Sequence, residues 1–573
     1  MAKTASIFRL RNIALAAWLS MPVGSAAQQG SVTYVNQGWA WTNAARADFY
    51  TRDQGSQIIP LAWARALKRA DGQPFLGDAL ARYGYLPNPA NAARLPVGFM
   101  AGGANRSQLA MNCSACHTRQ IVVDRSEFRI DGAPAIVDFQ ALLVDLDAAV
   151  AGVLATPAAF AEFAAAVLGA NPSPARVAEL RTQVDDWYRR EHAMVTRGIQ
   201  GAGWGLGRLD AVSMIFNRLT GLDIGPPPSF LIESNIRRAD APVRYPFLWN
   251  APRQDRTQWP GFAQNGNDLL GLARNLGQVY GVYGRFRPHR NGNRLDFLAD
   301  NSANFPNLNR LENLVQRIGP PRWRWGSNAR LAATGEAIFN RDWRQGGCAE
   351  CHGERTGAFR YSLPLTWATP LCDVGTDSRQ YSILARTAET GVYQGARRPF
   401  GTPLGAESKA FDLLGLSVVG SIFQHYLGFS LFGYQDGATP APPAHQADLA
   451  RQIVSIYSPA PNDACDNDAL NADFPFKYES RVLRGIWATA PYLHNGSVPT
   501  LWDLLQPEAN RPRTWNVGNR ELDPVNVGFV TTPGPGTFLF DTSIDGNRNT
   551  GHVYGTTLSD DDRRALIEYL KTL

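Results

Sequence analysis

Sulfur is scarce in this chain: 573 residues hold six cysteines and six methionines. The methionines stand at 1, 21, 100, 111, 194 and 214, so the last 359 residues contain none. A methionine ligand from the C-terminal half is therefore excluded. Histidine is scarce too, with eight residues. Beyond the first 27 residues no stretch approaches the roughly 18 uninterrupted apolar residues of a membrane-spanning helix. No strict short repeat occurs. Charge is nearly balanced: the formal excess is +6, and Lys3, Arg9 and Arg11 supply half of it. That excess is too small to argue for a nucleic-acid partner or stable association with a membrane.

Four of the six cysteines fall in two short runs, Cys113-Ser114-Ala115-Cys116-His117 and Cys348-Ala349-Glu350-Cys351-His352. Both read C-x-x-C-H, about 235 residues apart, the attachment pattern of a c-type haem. In that chemistry the two thiols add to the haem vinyl groups and the histidine becomes the proximal iron ligand. The rival readings are a redox dithiol or half of a zinc site. Zinc needs a second ligand pair nearby, and neither run has one in sequence. The expectation is two covalently bound haem c groups, on Cys113, Cys116 and His117 and on Cys348, Cys351 and His352.

The N-terminus agrees with that expectation. Cations at 3, 9 and 11 precede a short apolar core, Ile13 to Val23, and Ser25-Ala26-Ala27 offers a cleavage site before Gln28. This is the pattern of a secretory leader, residues 1–27, too short to be an anchor. Haem c is attached outside the bacterial cytoplasm, so a periplasmic or secreted protein is expected. In that oxidising setting Cys372 and Cys465 are candidates to pair, closing a loop of about 93 residues.

Apolar spacing of three and four predicts helices over 158–167, 174–189, 331–339 and 558–573. The last opens Leu558-Ser559-Asp560-Asp561-Asp562, a serine cap followed by acids that suit the helix dipole. Stretches rich in Pro and Gly at 225–229, 317–325, 438–444 and 507–546 read as loops. The 317–322 stretch precedes a new helix and the second motif, which divides the chain into 28–320 and 321–573. Each part is expected to be mainly α, with long irregular loops wrapped around a haem.

The sixth iron ligands separate the two parts. Met is excluded for the second haem, leaving His425, His445, His494 and His552 as candidates. His445 sits in a Pro-Ala loop and His425 in an apolar stretch that reads as core. His494 and His552 remain, and His552 enters the closing helix. Around the first haem only His192 and His289 are present, one among charges and one in a basic loop. Met100, Met111, Met194 and Met214 stand in no recognisable ligand context. An open or labile sixth position at His117 is expected, so that one haem reacts and the other is saturated.

The run Leu483 to Leu501, containing Ala490-Pro491-Tyr492-Leu493-His494-Asn495-Gly496, resembles the signature of the bacterial di-haem peroxidase superfamily. It is nearest to the branch of the rubber oxygenase and the di-haem fatty-acid dioxygenases. Other stretches resemble the same branch: Gln54 to Pro60, Leu95 to Phe99, Ile130-Asp131-Gly132, Gly205 to Ala211 and Ala241 to Trp249. The resemblance implies two cytochrome c-like haem domains with insertions, an oxygen-reactive N-terminal haem and a bis-His C-terminal haem. It implies His552 as the distal ligand, with His494 as the alternative. It also implies a tryptophan between the haems, for which Trp249 and Trp259 are candidates. Arg244 and Gln258 are candidate pocket residues. Three functions follow: a dioxygenase acting on a carbon–carbon double bond of an apolar small molecule or polymer, a peroxidase fed by a periplasmic electron donor, or an electron carrier.

Overall fold

Helix ends follow local sequence closely. The computed structural model describes residues 32–357, 366–397, 402–428, 430, 432–434 and 477–573. The leader, His445 and Cys465 lie outside them, and with Cys465 the expected pairing to Cys372. The helix Pro157–Leu168 begins with a proline behind Thr156, whose hydroxyl accepts from the Ala159 N–H at 3.1 Å, an arrangement that satisfies a first-turn donor. Pro174–Met194 starts the same way behind Ser173. The closing helix is Asp560–Thr572, capped by Ser559, with three acids in its first turn.

Strand is more frequent than the periodicity implied, although helix still outweighs it. A hairpin, Thr118–Val123 with Ser126–Asp131, leaves His117 directly, and Phe99–Gly102 pairs with Gln108–Met111 just before the motif. The supposed loop at 507–546 contains two antiparallel pairs, Thr514–Val517 with Phe538–Asp541 and Leu522–Asp523 with Gly528–Phe529. These strands hold two to six residues, too few for alternation to stand out from the sequence.

The division at residue 320 separates the two motifs but not the cores. One large cluster lies within the first part, with Ile58, Phe99, Leu143 and Trp204 among its members. A second joins Leu272, Tyr280 and Phe297 to Leu413, Val419 and Phe423. A third joins Phe49, Ile121, Trp249 and Leu314 to Ile338, Trp487, Tyr492 and Leu566. Arg119 of the first hairpin is fully buried and donates to the carbonyls of Ala488 and Ala490. The helix Ala410–Leu427 is long and apolar enough to cross a membrane, but 61% of it is buried, and its apolar residues contribute to the second cluster.

The second motif is framed by Ala329–Phe339, which packs against Asp560–Thr572. Gly335 lies at their contact, where a Cβ would sit 2.0 Å from the Ala565 carbonyl oxygen. Only glycine fits such a backbone approach. Gly335→Ala is expected to destabilise the fold by about 2–3 kcal/mol through overpacking, read as a lower urea midpoint with the haem content unchanged.

Candidate haem sites

The second motif builds one wall of a cavity. Cys348 precedes the single turn Ala349–His352, and the His352 N–H donates to the Cys348 carbonyl at 2.9 Å. Cys348, Cys351 and His352 all line the cavity. His352 Nδ1 lies 2.8 Å from the Arg481 carbonyl oxygen. A carbonyl only accepts, so Nδ1 carries the proton and Nε2 is left with a free lone pair, the state that binds iron.

His552 lies opposite. It follows Gly551 and itself has φ +49°, an uncommon backbone for a non-glycine residue. Two bonds hold it there: its N–H donates to the Val374 carbonyl at 2.7 Å, and its carbonyl accepts from Arg511 at 3.0 Å. The His352 and His552 ring centroids are 6.1 Å apart. Metal–nitrogen bonds of about 2 Å on both sides of one iron give a separation of about 6 Å, so the pair fits a shared haem iron. Burial, with His352 and Arg511 close by, lowers the His552 pKa to about 3, keeping it in the neutral, ligating form. His494 lines the same cavity but stacks on Tyr478 at 4.0 Å. Its pKa falls to about 3 through burial and the nearby Arg244. His425 is exposed and stacks on Phe305, so it is not the core residue its apolar stretch suggested.

The first motif opens on a separate cavity. Asn112 caps Cys113–Cys116 by accepting from the Ser114 N–H at 3.0 Å, and its amide donates to the Phe49 and Arg52 carbonyls. Cys113 and His117 line the cavity with Phe247, Leu248, Leu311 and Val315, and with polar Gln258, Gln278, Arg274 and Glu312. Glu312 is bonded by Arg274 and Asn275. Burial lowers the His117 pKa to about 4 against a smaller opposing pull from the Pro246 carbonyl. That contact falls short of hydrogen-bond geometry, so Nδ1 remains without a partner among the described residues.

No second histidine or methionine reaches this cavity among the described residues. His192 is bound to Asp147 at 2.9 Å and stacked on Tyr188. His289 packs edge-on against Phe230. Met100, Met111, Met194 and Met214 are buried core residues.

The two candidate tryptophans take different places. Trp259 lines the His352 cavity and donates to the Arg244 carbonyl at 3.0 Å. Trp249 lines neither cavity; it donates to the Arg484 carbonyl and stacks on Phe247 at 5.0 Å. The residues that line both cavities are Phe247, Glu479 and Arg481, which the sequence reading did not select. Phe247 stood inside the Ala241–Trp249 stretch and Arg481 two residues ahead of the Leu483 run, so proximity to the quoted motifs was the available signal. Arg244 does line the His352 cavity and Gln258 the His117 cavity.

The donor sets suit haem c. None of the four motif cysteines is bridged. Arg244, Arg274 and Arg481 face the two cavities against Glu312 and Glu479, all buried, an excess of positive charge that suits the haem carboxylates. Among the described residues no group of three or more His, Cys, Asp or Glu could hold a metal ion, so the zinc reading finds no ligand set.

Comparison with known proteins agrees at the C-terminal site. Residues 477–516, which include Glu479, Arg481 and His494, match the family described as RoxA-like, cytochrome c-like. A Sinorhizobium fredii protein named "uncharacterized protein y4iJ" is 28% identical over 611 aligned residues, spanning 95% of this chain and 93% of that one. A second from the same organism, "uncharacterized protein y4iM", is 38% identical over 117 residues, 17% of this chain and 27% of that one. The chain thus contains a cytochrome c-like domain, which implies covalently bound haem c.

Proposed function

We propose that the chain is a di-haem c-type oxidoreductase working in the periplasm or outside the cell, with its reactive iron at His117. The reaction we assign is dioxygenation, adding oxygen to or cleaving a carbon–carbon double bond of an unsaturated fatty acid, alkene or polyisoprene. One observation carries this reading: the His352 cavity offers a second histidine at iron-sharing distance, whereas the His117 cavity offers none among the described residues. A haem held at His117 supplies the activation of dioxygen. The protein supplies the rest. His117 stays neutral and able to ligate. Phe247, Leu248, Leu311 and Val315 exclude water and favour an apolar substrate. Glu312 is already engaged by Arg274 and Asn275 and is a poor proton shuttle.

A second reading, reduction of hydrogen peroxide with an outside electron donor, draws on Glu479. That carboxylate lines the cavity, its Oε2 has no partner among the described residues, and burial raises its pKa. Such a group is what movement of the peroxide proton requires.

The reduced protein is expected to bind one carbon monoxide per chain. Turnover with oleate or polyisoprene should consume oxygen with no continuous external reductant, because both oxygen atoms end in product. Steady peroxide turnover with reduced cytochrome, and no oxygen uptake with any unsaturated substrate, would transfer the assignment to the peroxidase. Absence of carbon monoxide binding would leave an electron carrier.

A further inference from the structure

Arg481 touches both haem sites by different atoms. Its backbone carbonyl takes the His352 Nδ1 proton at 2.8 Å. Its guanidinium lies 3.9 Å over the Phe247 ring and donates to Gln254 Oε1 at 2.8 Å. Phe247 and Arg481 line both cavities. Glu479 pairs with the guanidinium at 3.6 Å, beyond hydrogen-bonding distance, and Arg481 Nη1 and Glu479 Oε2 lack hydrogen-bond partners among the described residues. Both side chains are at least 95% buried, where a charge acts with much more force than in water. The Arg481 charge also reaches His117, where it disfavours the protonated ring.

We propose that Arg481, with Glu479 as its counter-charge, sets the potentials of the two haems relative to each other. This rests on the di-haem reading above. A cation beside the His117 iron favours the reduced form, which carries one positive charge fewer. The carbonyl on the His352 ring makes that imidazole a stronger donor and favours the oxidised form. One residue thus pushes the two potentials apart. Glu479 opposes the first effect.

The test is potentiometric titration of the holoprotein, following each haem by its own spectrum. Arg481→Gln should lower the midpoint of the carbon-monoxide-binding haem, and Arg481→Lys should largely restore it. Glu479→Gln should raise it, and the double variant should return near the parent value. The low-spin spectrum of the other haem should persist in every variant, because its contact is to backbone. If Arg481→Gln does not fold with two haems, Glu479→Gln, nearly the same shape, decides alone: no upward shift overturns the proposal. Shifts of the same sign in the two single variants also overturn it. A parent protein with fewer than two haems would instead sink the di-haem reading, and that is seen before any variant is made.

Discussion

Replacing Cys113 and Cys116 by alanine is expected to remove one haem per chain and essentially all carbon monoxide binding and oxygen uptake. On the proposed reading each motif would hold a haem by two thioether bonds, so the parent protein should keep both haems through denaturation and acid-acetone extraction. The haem that survives this double substitution should be the one proposed to lie between His352 and His552, whose ring centroids stand 6.1 Å apart. With both axial positions filled it has no place for an external ligand. The complementary change, Cys348 and Cys351 to alanine, should leave one haem that still binds carbon monoxide. Pyridine haemochrome analysis gives the counts. A parent stoichiometry of one haem, or extractable haem, would remove the basis of the proposed function.

His552→Ala should convert the second haem from low-spin to high-spin or water-ligated, and raise carbon monoxide binding from one to two per chain. His494→Ala should leave low-spin ligation intact. Its cost falls on stability, through loss of the buried stack on Tyr478, roughly 0.5–1.5 kcal/mol beyond the lost area. Electron paramagnetic resonance of the two variants separates the cases. If they behave the other way round, the distal ligand is His494.

The two C-x-x-C-H motifs were legible because their chemistry is local: two thiols and an imidazole within five residues carry the whole signal, and Cys348, Cys351 and His352 line one cavity while Cys113 and His117 line another. Ser559 and its three acids announced the last helix for the same reason. The lack of methionine after residue 214 left four histidines for the second haem, and His552 was preferred over His494 for its place before the closing helix; its ring stands 6.1 Å from that of His352. The strands were not legible, being too short for alternation to register. Trp249 and Trp259 were named from the family resemblance, which does not tell which way a ring faces; Trp259 lines one cavity, and Trp249 stacks on Phe247, which lines both. Arg481 was invisible because half of its role belongs to a backbone carbonyl, which every residue possesses. The cut at 320 followed linear punctuation, whereas the cores formed from segments far apart in the chain.

Arg119 bears on how the protein is made. It lies two residues after the first haem histidine, and its buried guanidinium bonds carbonyls 369 and 371 positions further along. A chain emerging N-terminus first cannot close that contact until nearly all of it has been delivered. Glu479 and Arg481, which line the His117 cavity, are delivered just as late. A fragment ending at residue 320 would leave Arg119 without its acceptors, so the parts carrying the two C-x-x-C-H motifs form one assembly unit rather than two exchangeable modules.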